Sequence, residues 1–179
     1  VVVQDFTDDK MMAMALIGCS SEPELDVSSK QESIVGGEAV APCAWPTAVS
    51  AEGCSAVLVA PEIVALAAHC LVASGPREIV FGEQANRPEH VAAVTSCQRH
   101  PDYGLIPGTD VAFCHLATPV HDVPIVPVMS KCEADWLLHD GAAVTLVGFG
   151  GTDDEGRGGG IKRSVEVRLE GLLAQGREL

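Results

Sequence analysis

Two short segments of this chain carry residue types that can act together as a base and its orienting group. His69 closes one apolar run, Val64-Ala65-Leu66-Ala67-Ala68-His69-Cys70, and Asp110 opens another, Asp110-Val111-Ala112-Phe113-Cys114-His115-Leu116. Imidazole suits the removal of a proton from a poor nucleophile such as a serine hydroxyl, because its pKa lies near neutral pH. A carboxylate behind the ring fixes its tautomer and stabilises the imidazolium that forms. Taken singly, both residues have ordinary readings: a histidine is more often structural or exposed than catalytic, and an aspartate ahead of a strand is a turn residue. His90, His100, His115, His121 and His139 read as surface or strand-end residues. A nucleophile is missing from the set. After Asp110 the serines are Ser130, in Val-Met-Ser-Lys-Cys, and Ser164, in Lys-Arg-Ser-Val-Glu. Neither is flanked by glycines whose N–H groups could form an oxyanion hole.

The elements that must position His69 and Asp110 are short strands. Glycines and prolines, 18 and 11 of them, are scattered along the chain and separate brief, Val-rich apolar runs. That pattern favours strands over long helices. Strands are expected at Ser55–Ala60 and Ile63–Ala67, joined by a Pro61-Glu62 turn, then at Glu78–Phe81, His90–Ser96, Val111–Leu116 and Val123–Val128. Cys132–Leu138 reads as a short helical turn, and Ala143–Phe149 and Ser164–Leu169 as two further strands. Between those two, Gly150–Gly160 is rich in Gly and Asp and reads as a mobile loop. So many short strands suit a small barrel or a sandwich. No apolar run is long enough to cross a bilayer as a helix.

The motifs in their order resemble the trypsin/chymotrypsin family of serine proteases. Ile34-Val35-Gly36-Gly37 and Trp45-Pro46 come first, then Ala67-Ala68-His69-Cys70, then Thr109-Asp110-Val111-Ala112. The resemblance covers essentially everything after Ile34. It implies an all-β fold of two barrels with the active site between them, the first nearly complete here and the second only partly present. It assigns His69 as general base and Asp110 as the carboxylate that orients it. The family's serine sits in a Gly-Asp-Ser-Gly-Gly stretch, and the sequence stops before one, which implies a chain truncated ahead of the nucleophile and inactive alone. Leu66-Ala67 replaces the Thr or Ser and Ala usual before the motif, with little effect on base chemistry. Gly148-Phe149-Gly150 resembles the family's Gly-Trp-Gly, and His100-Pro101-Asp102-Tyr103 a family loop near the cleft. Ile34 matches the mature N-terminus, which implies an activation cut between Ser33 and Ile34. The activity implied is peptide-bond hydrolysis of proteins or peptides, with no cofactor. The rival reading is a non-catalytic lipoprotein that keeps the fold for binding or sensing.

Seven cysteines leave at least one outside any set of internal pairs. Cys19 stands apart, since Leu16-Ile17-Gly18-Cys19 resembles a bacterial lipobox whose cysteine becomes lipid-modified. The family resemblance pairs Cys54 with Cys70. Cys97 and Cys114 can bridge if their strands pair antiparallel, and Cys43 and Cys132 then remain. Spacing alone leaves the connectivity open. Three disulfides imply an oxidising compartment. A metal site at Cys97-x-x-His100 or Cys114-His115 is disfavoured, because adjacent strand residues point to opposite faces and the thiols are wanted for disulfides.

Residues 1–18 read as a signal-like segment, apolar from Met11 to Gly18 with a small-residue end. Asp5, Asp8 and Asp9 sit where a signal carries positive charge, so the true start is at Met11 or Met12, or the N-terminus is misassigned. Residues 19–33 are polar and acidic and read as a tether or propeptide. The protease-like domain is expected over 34–179. This organisation implies an exported protein, either secreted or a periplasmic or outer-membrane lipoprotein tethered through Cys19. The net charge of −14 and pI near 4.6 oppose nucleic-acid binding, which needs a cationic surface.

Overall fold

A computed structural model describes residues 37–71, 75–106, 108–152 and 157–169. In chain order the strands are β1 (Glu38–Ala39), β2 (Ala48–Ala51), β3 (Cys54–Ala60), β4 (Ile63–Leu66), β5 (Glu78–Phe81), β6 (His90–Arg99), β7 (Ala112–Leu116), β8 (Ala143–Gly148) and β9 (Arg163–Arg168), with one helix, α1 (Lys131–Leu137), between β7 and β8. Strands β2 to β7 close into a barrel in the order β2-β3-β4-β7-β6-β5, and β1, β9 and β8 form a separate three-stranded sheet.

Turn chemistry sets much of the barrel. β2 and β3 are joined by Glu52 and Gly53, both with positive φ, +46° and +96°. That is the conformation whose twist suits a two-residue hairpin. β3 and β4 pair from Ala60↔Ile63 across the Pro61-Glu62 turn. β6 runs past the expected Ser96 to Arg99 and serves two neighbours. Glu78–Phe81 pair with its first residues, and Ala112–Leu116 with its second half. A register shift between Val94 and Ser96 separates the two stretches. Such an irregularity bends a strand at a barrel corner. Closure comes from Ser50↔Val80.

The barrel interior is filled by alternate side chains. Val49, Leu58, Val64, Ile79 and Cys114 have no exposed surface, and Leu116 almost none. β7 shows the period of two, with Ala112, Cys114 and Leu116 inside and Phe113 and His115 outside.

Two expectations change. Val123–Val128 forms no strand. Pro124 and Pro127 have no N–H to give a ladder, which removes one donor from each edge of the run. β2 has no counterpart in the sequence-based reading. Its residues, Ala-Val-Ser-Ala, are all buried, so no alternation announces it.

The small sheet sits against the barrel. β8 and β9 pair in register from Ala143↔Arg168 to Gly148↔Arg163. Ala48 of β2 and Val147 of β8 share a second apolar cluster with Trp45 and Val57. Lys162, only 1% exposed, fastens the same region. Its ammonium donates to the Trp45 carbonyl at 3.0 Å and lies 5.8 Å from the centre of the Phe149 ring. Burial lowers the Lys162 pKa, and the carboxylates of Glu83 and Glu89 oppose that shift.

Candidate active site

His69 lies in a single 3₁₀ turn, Ala68–Cys70, just past the end of β4. Asp110 stands two residues ahead of β7. β4 and β7 are neighbours, with Leu66 opposite Ala112, so the ends that carry His69 and Asp110 emerge side by side. The carboxylate takes two bonds from one residue. His69 N–H donates to Oδ1 at 2.9 Å, and His69 Nδ1 is 2.6 Å from Oδ2. An ionised carboxylate only accepts, so the proton of that pair belongs to Nδ1. Nε2 is thereby left with a free lone pair, the tautomer a general base requires. The bond from the His69 ring is the largest influence on Asp110 and lowers its pKa below 3.8. His69 and Asp110 border an open groove of about 490 Å³, floored by Cys54, Ser55, Ala67 and Val111. The imidazole is 63% exposed to solvent and the carboxylate 33%.

Cys54 and Cys70 are joined in a disulfide, which ties the start of β3 to the residue after His69. Cys97 and Cys114 are joined as well. They face each other directly in the β6–β7 ladder, Cα atoms 4.0 Å apart. The expected Cys43–Cys132 pair does not form. Cys132 is a free, exposed thiol on α1, whereas Cys43 belongs to a disulfide. The cause is valence: the Cys43 sulfur is already taken in its own disulfide and cannot also bond Cys132.

The remaining candidates have local partners. His90 packs on Phe81, His115 lies 3.5 Å from Glu62, and His139 meets the Asp140 carbonyl. His100 Nδ1 accepts from the Asp102 N–H at 3.2 Å and helps shape the loop before Asp110. His121 is exposed. Ser130 is the N-cap of α1, in a capping box with Glu133, and Ser164 is a ladder residue of β9. The sulfurs of Cys97 and Cys114 are committed to their disulfide and offer no thiolate to a metal with His100 or His115. Cys54, His69 and Cys70 bring donor atoms within 4.8 Å of one another, but both sulfurs are likewise disulfide-bonded. Ser33, Ile34 and Cys19 lie outside the described residues. Gly37 is described, and a side chain there would come within 2.8 Å of the Ser164 carbonyl, so its backbone lies tight against β9.

Two contributors escaped the sequence reading. Ser55 Oγ, at the groove, accepts the Phe149 N–H at 2.8 Å and links β3 to the end of β8. Arg99 donates from Nε to the Ala68 carbonyl at 3.1 Å, beside His69. A lone serine after a cysteine and an arginine at a strand end carry no local signal of either task.

The trypsin family profile matches residues 34–169, most of the chain. The chain belongs to the trypsin family. Among its relatives are a trypsin of Saccharopolyspora erythraea, 35% identical over 109 residues that make up 58% of this chain and 47% of that protein. A vitellin-degrading protease of Bombyx mori is 26% identical over 171 residues, 90% of this chain and 64% of that one. Brachyurin of Leptuca pugilator is 28% identical over 147 residues, 76% of this chain and 64% of that one. The chain thus spans less than two thirds of the length of each.

Proposed function

We propose that this chain carries the base and orienting carboxylate of a serine endopeptidase that hydrolyses peptide bonds in proteins or peptides. The observation that carries the reading is the pair of hydrogen bonds from His69 to the Asp110 carboxylate at the rim of an open groove. In this reading His69 Nε2 takes the proton of a serine hydroxyl as it attacks the scissile carbonyl. The same nitrogen later returns the proton to the leaving amine. Asp110 stays ionised throughout, holding the ring and stabilising the imidazolium. The nucleophile in this reading is a serine served by an oxyanion hole; Ser130, a helix cap, and Ser164, a ladder residue, do not fill that place.

The reading extends to the rest of the chain. Residues 34–179 are the protease domain, freed by a cut between Ser33 and Ile34. Residues 1–18 act as an export signal and 19–33 as an acidic propeptide. The disulfides support an oxidising destination outside the cytosol. No helix of the described residues is long and apolar enough to cross a membrane.

The test is steady-state hydrolysis of peptide substrates by the natural protein. His69→Ala and Asp110→Asn should each reduce kcat by several orders of magnitude, about 10⁴-fold for the latter, the typical size of a lost correct tautomer in this enzyme class. KM should change little. Full activity in either variant would remove His69 and Asp110 from the mechanism.

A further inference from the structure

The 3₁₀ turn that carries His69 has no side chain capping its start. Its stability within the turn rests on two backbone bonds, Cys70 N–H to the Ala67 carbonyl and Leu71 N–H to the Ala68 carbonyl, both 3.1 Å. A lone turn of this kind is a weak platform for a side chain that must be held to a fraction of an ångström. The Cys54–Cys70 disulfide anchors the turn's last residue to β3, and at its first residue a second outside tether is supplied by Arg99. Its Nε donates to the same Ala68 carbonyl at 3.1 Å, and its guanidinium lies 5.6 Å from the centre of the Tyr103 ring. Tyr103 in turn packs on the barrel core, and its N–H is bonded to the His100 carbonyl at 3.0 Å. The backbone of Arg99 is fixed as the last residue of β6, opposite Ala112 of β7.

The Ala68 carbonyl and the His69 N–H belong to one planar peptide unit. Arg99 holds the oxygen end, and Asp110 accepts from the nitrogen end at 2.9 Å. A charged donor on the carbonyl polarises the peptide and strengthens its N–H as a donor. Orientation and polarity therefore act in the same direction, towards Asp110 Oδ1. With that bond in place, the His69 ring has its second bond to Oδ2 within reach.

We propose that Arg99 is a positioning residue: it locks the Ala68–His69 peptide so that both His69 donors meet the Asp110 carboxylate. The proposal deepens the endopeptidase reading and rests on it for any effect on turnover. Its geometric content is read on the chain itself by NMR, comparing the natural sequence with Arg99→Gln. The His69 amide should exchange with solvent about tenfold faster or more in Arg99→Gln, as expected for the loss of a bond from a charged donor. The His69 Nδ1 proton should lose its strongly deshielded resonance. Amides of Leu58 and Val64 in the barrel should keep their exchange rates, which separates positioning from general loss of stability. Arg99→Lys, which keeps the charge but lacks the planar Nε donor, serves as a second variant should Arg99→Gln fail to fold, with the same result expected. An unchanged His69 amide and Nδ1 proton would overturn the proposal. So would equal acceleration at His69 and in the barrel core. Failure of the endopeptidase reading shows itself separately, as absence of peptide hydrolysis by the natural protein with Arg99 intact.

Discussion

A single histidine presents both its backbone N–H and its ring to one carboxylate, and much of the chemistry of this molecule follows from that. The ring bond holds Asp110 charged, so Asp110 contributes to stability in a pH-dependent way. Its native pKa lies below its unfolded value near 3.8. A depressed acid binds fewer protons in the folded state, so its contribution is complete above the unfolded pKa and is lost as pH falls through the native one. The carboxylate is a third exposed, and solvent screening keeps the effect modest. Denaturant titrations of the natural chain and Asp110→Asn should therefore differ most above pH 4 and converge in strong acid. A difference that grows on acidification would show that Asp110 is not held ionised by His69. The residues that make this pair were legible in sequence because their neighbours are distinctive: Ala-Ala-His-Cys after an apolar run and Asp before an alternating one. Arg99 and Ser55 were not, since each acts through a contact distant in sequence, to Ala68 and to Phe149.

Among the elements, the joint between the barrel and the small sheet is close-packed and readily tested. Gly148 ends β8 against β3, and a Cβ there would lie 2.8 Å from Ser55 Oγ. Ser55 would have to turn away, leaving the Phe149 N–H without its acceptor. Gly148→Ala should lower stability by about 1–3 kcal/mol, through crowding and a lost hydrogen bond. A urea midpoint equal to that of the natural chain would show that Ser55 moves freely and that the joint is loose. Strands with one buried face were readable from their period of two, as β7 illustrates. β2 was hidden because its own small residues are buried on both faces, leaving no contrast to read. Val123–Val128 misled for the opposite reason. Its apolar content fits a strand, but proline denies it the ladder. β6 was underestimated at its C-terminal end because polar Gln98 and Arg99 look like loop, while their backbones pair with Phe113 and Ala112.

Taken whole, the described molecule is unequal in its two parts. The barrel has no open edge, since β2 and β5 close it. In the small sheet β8 has β9 as its one partner among the described residues, so its far side presents unpaired backbone groups. Native-state hydrogen exchange should reflect this, with amides of β3, β4 and β7 opening only in global unfolding and those of β8 opening at much lower free energy. Uniform protection across both parts would mean that the sheet is covered as fully as the barrel. In the proposed function His69 is the group that activates a serine. The direct measurement is covalent labelling of the natural protein with a fluorophosphonate, which attaches only to a serine made nucleophilic by a neighbouring base. The account predicts stoichiometric labelling of one serine, abolished by His69→Ala while the fold is retained. Labelling that persists unchanged in His69→Ala, or a natural protein that takes no label and cleaves no peptide, would contradict it.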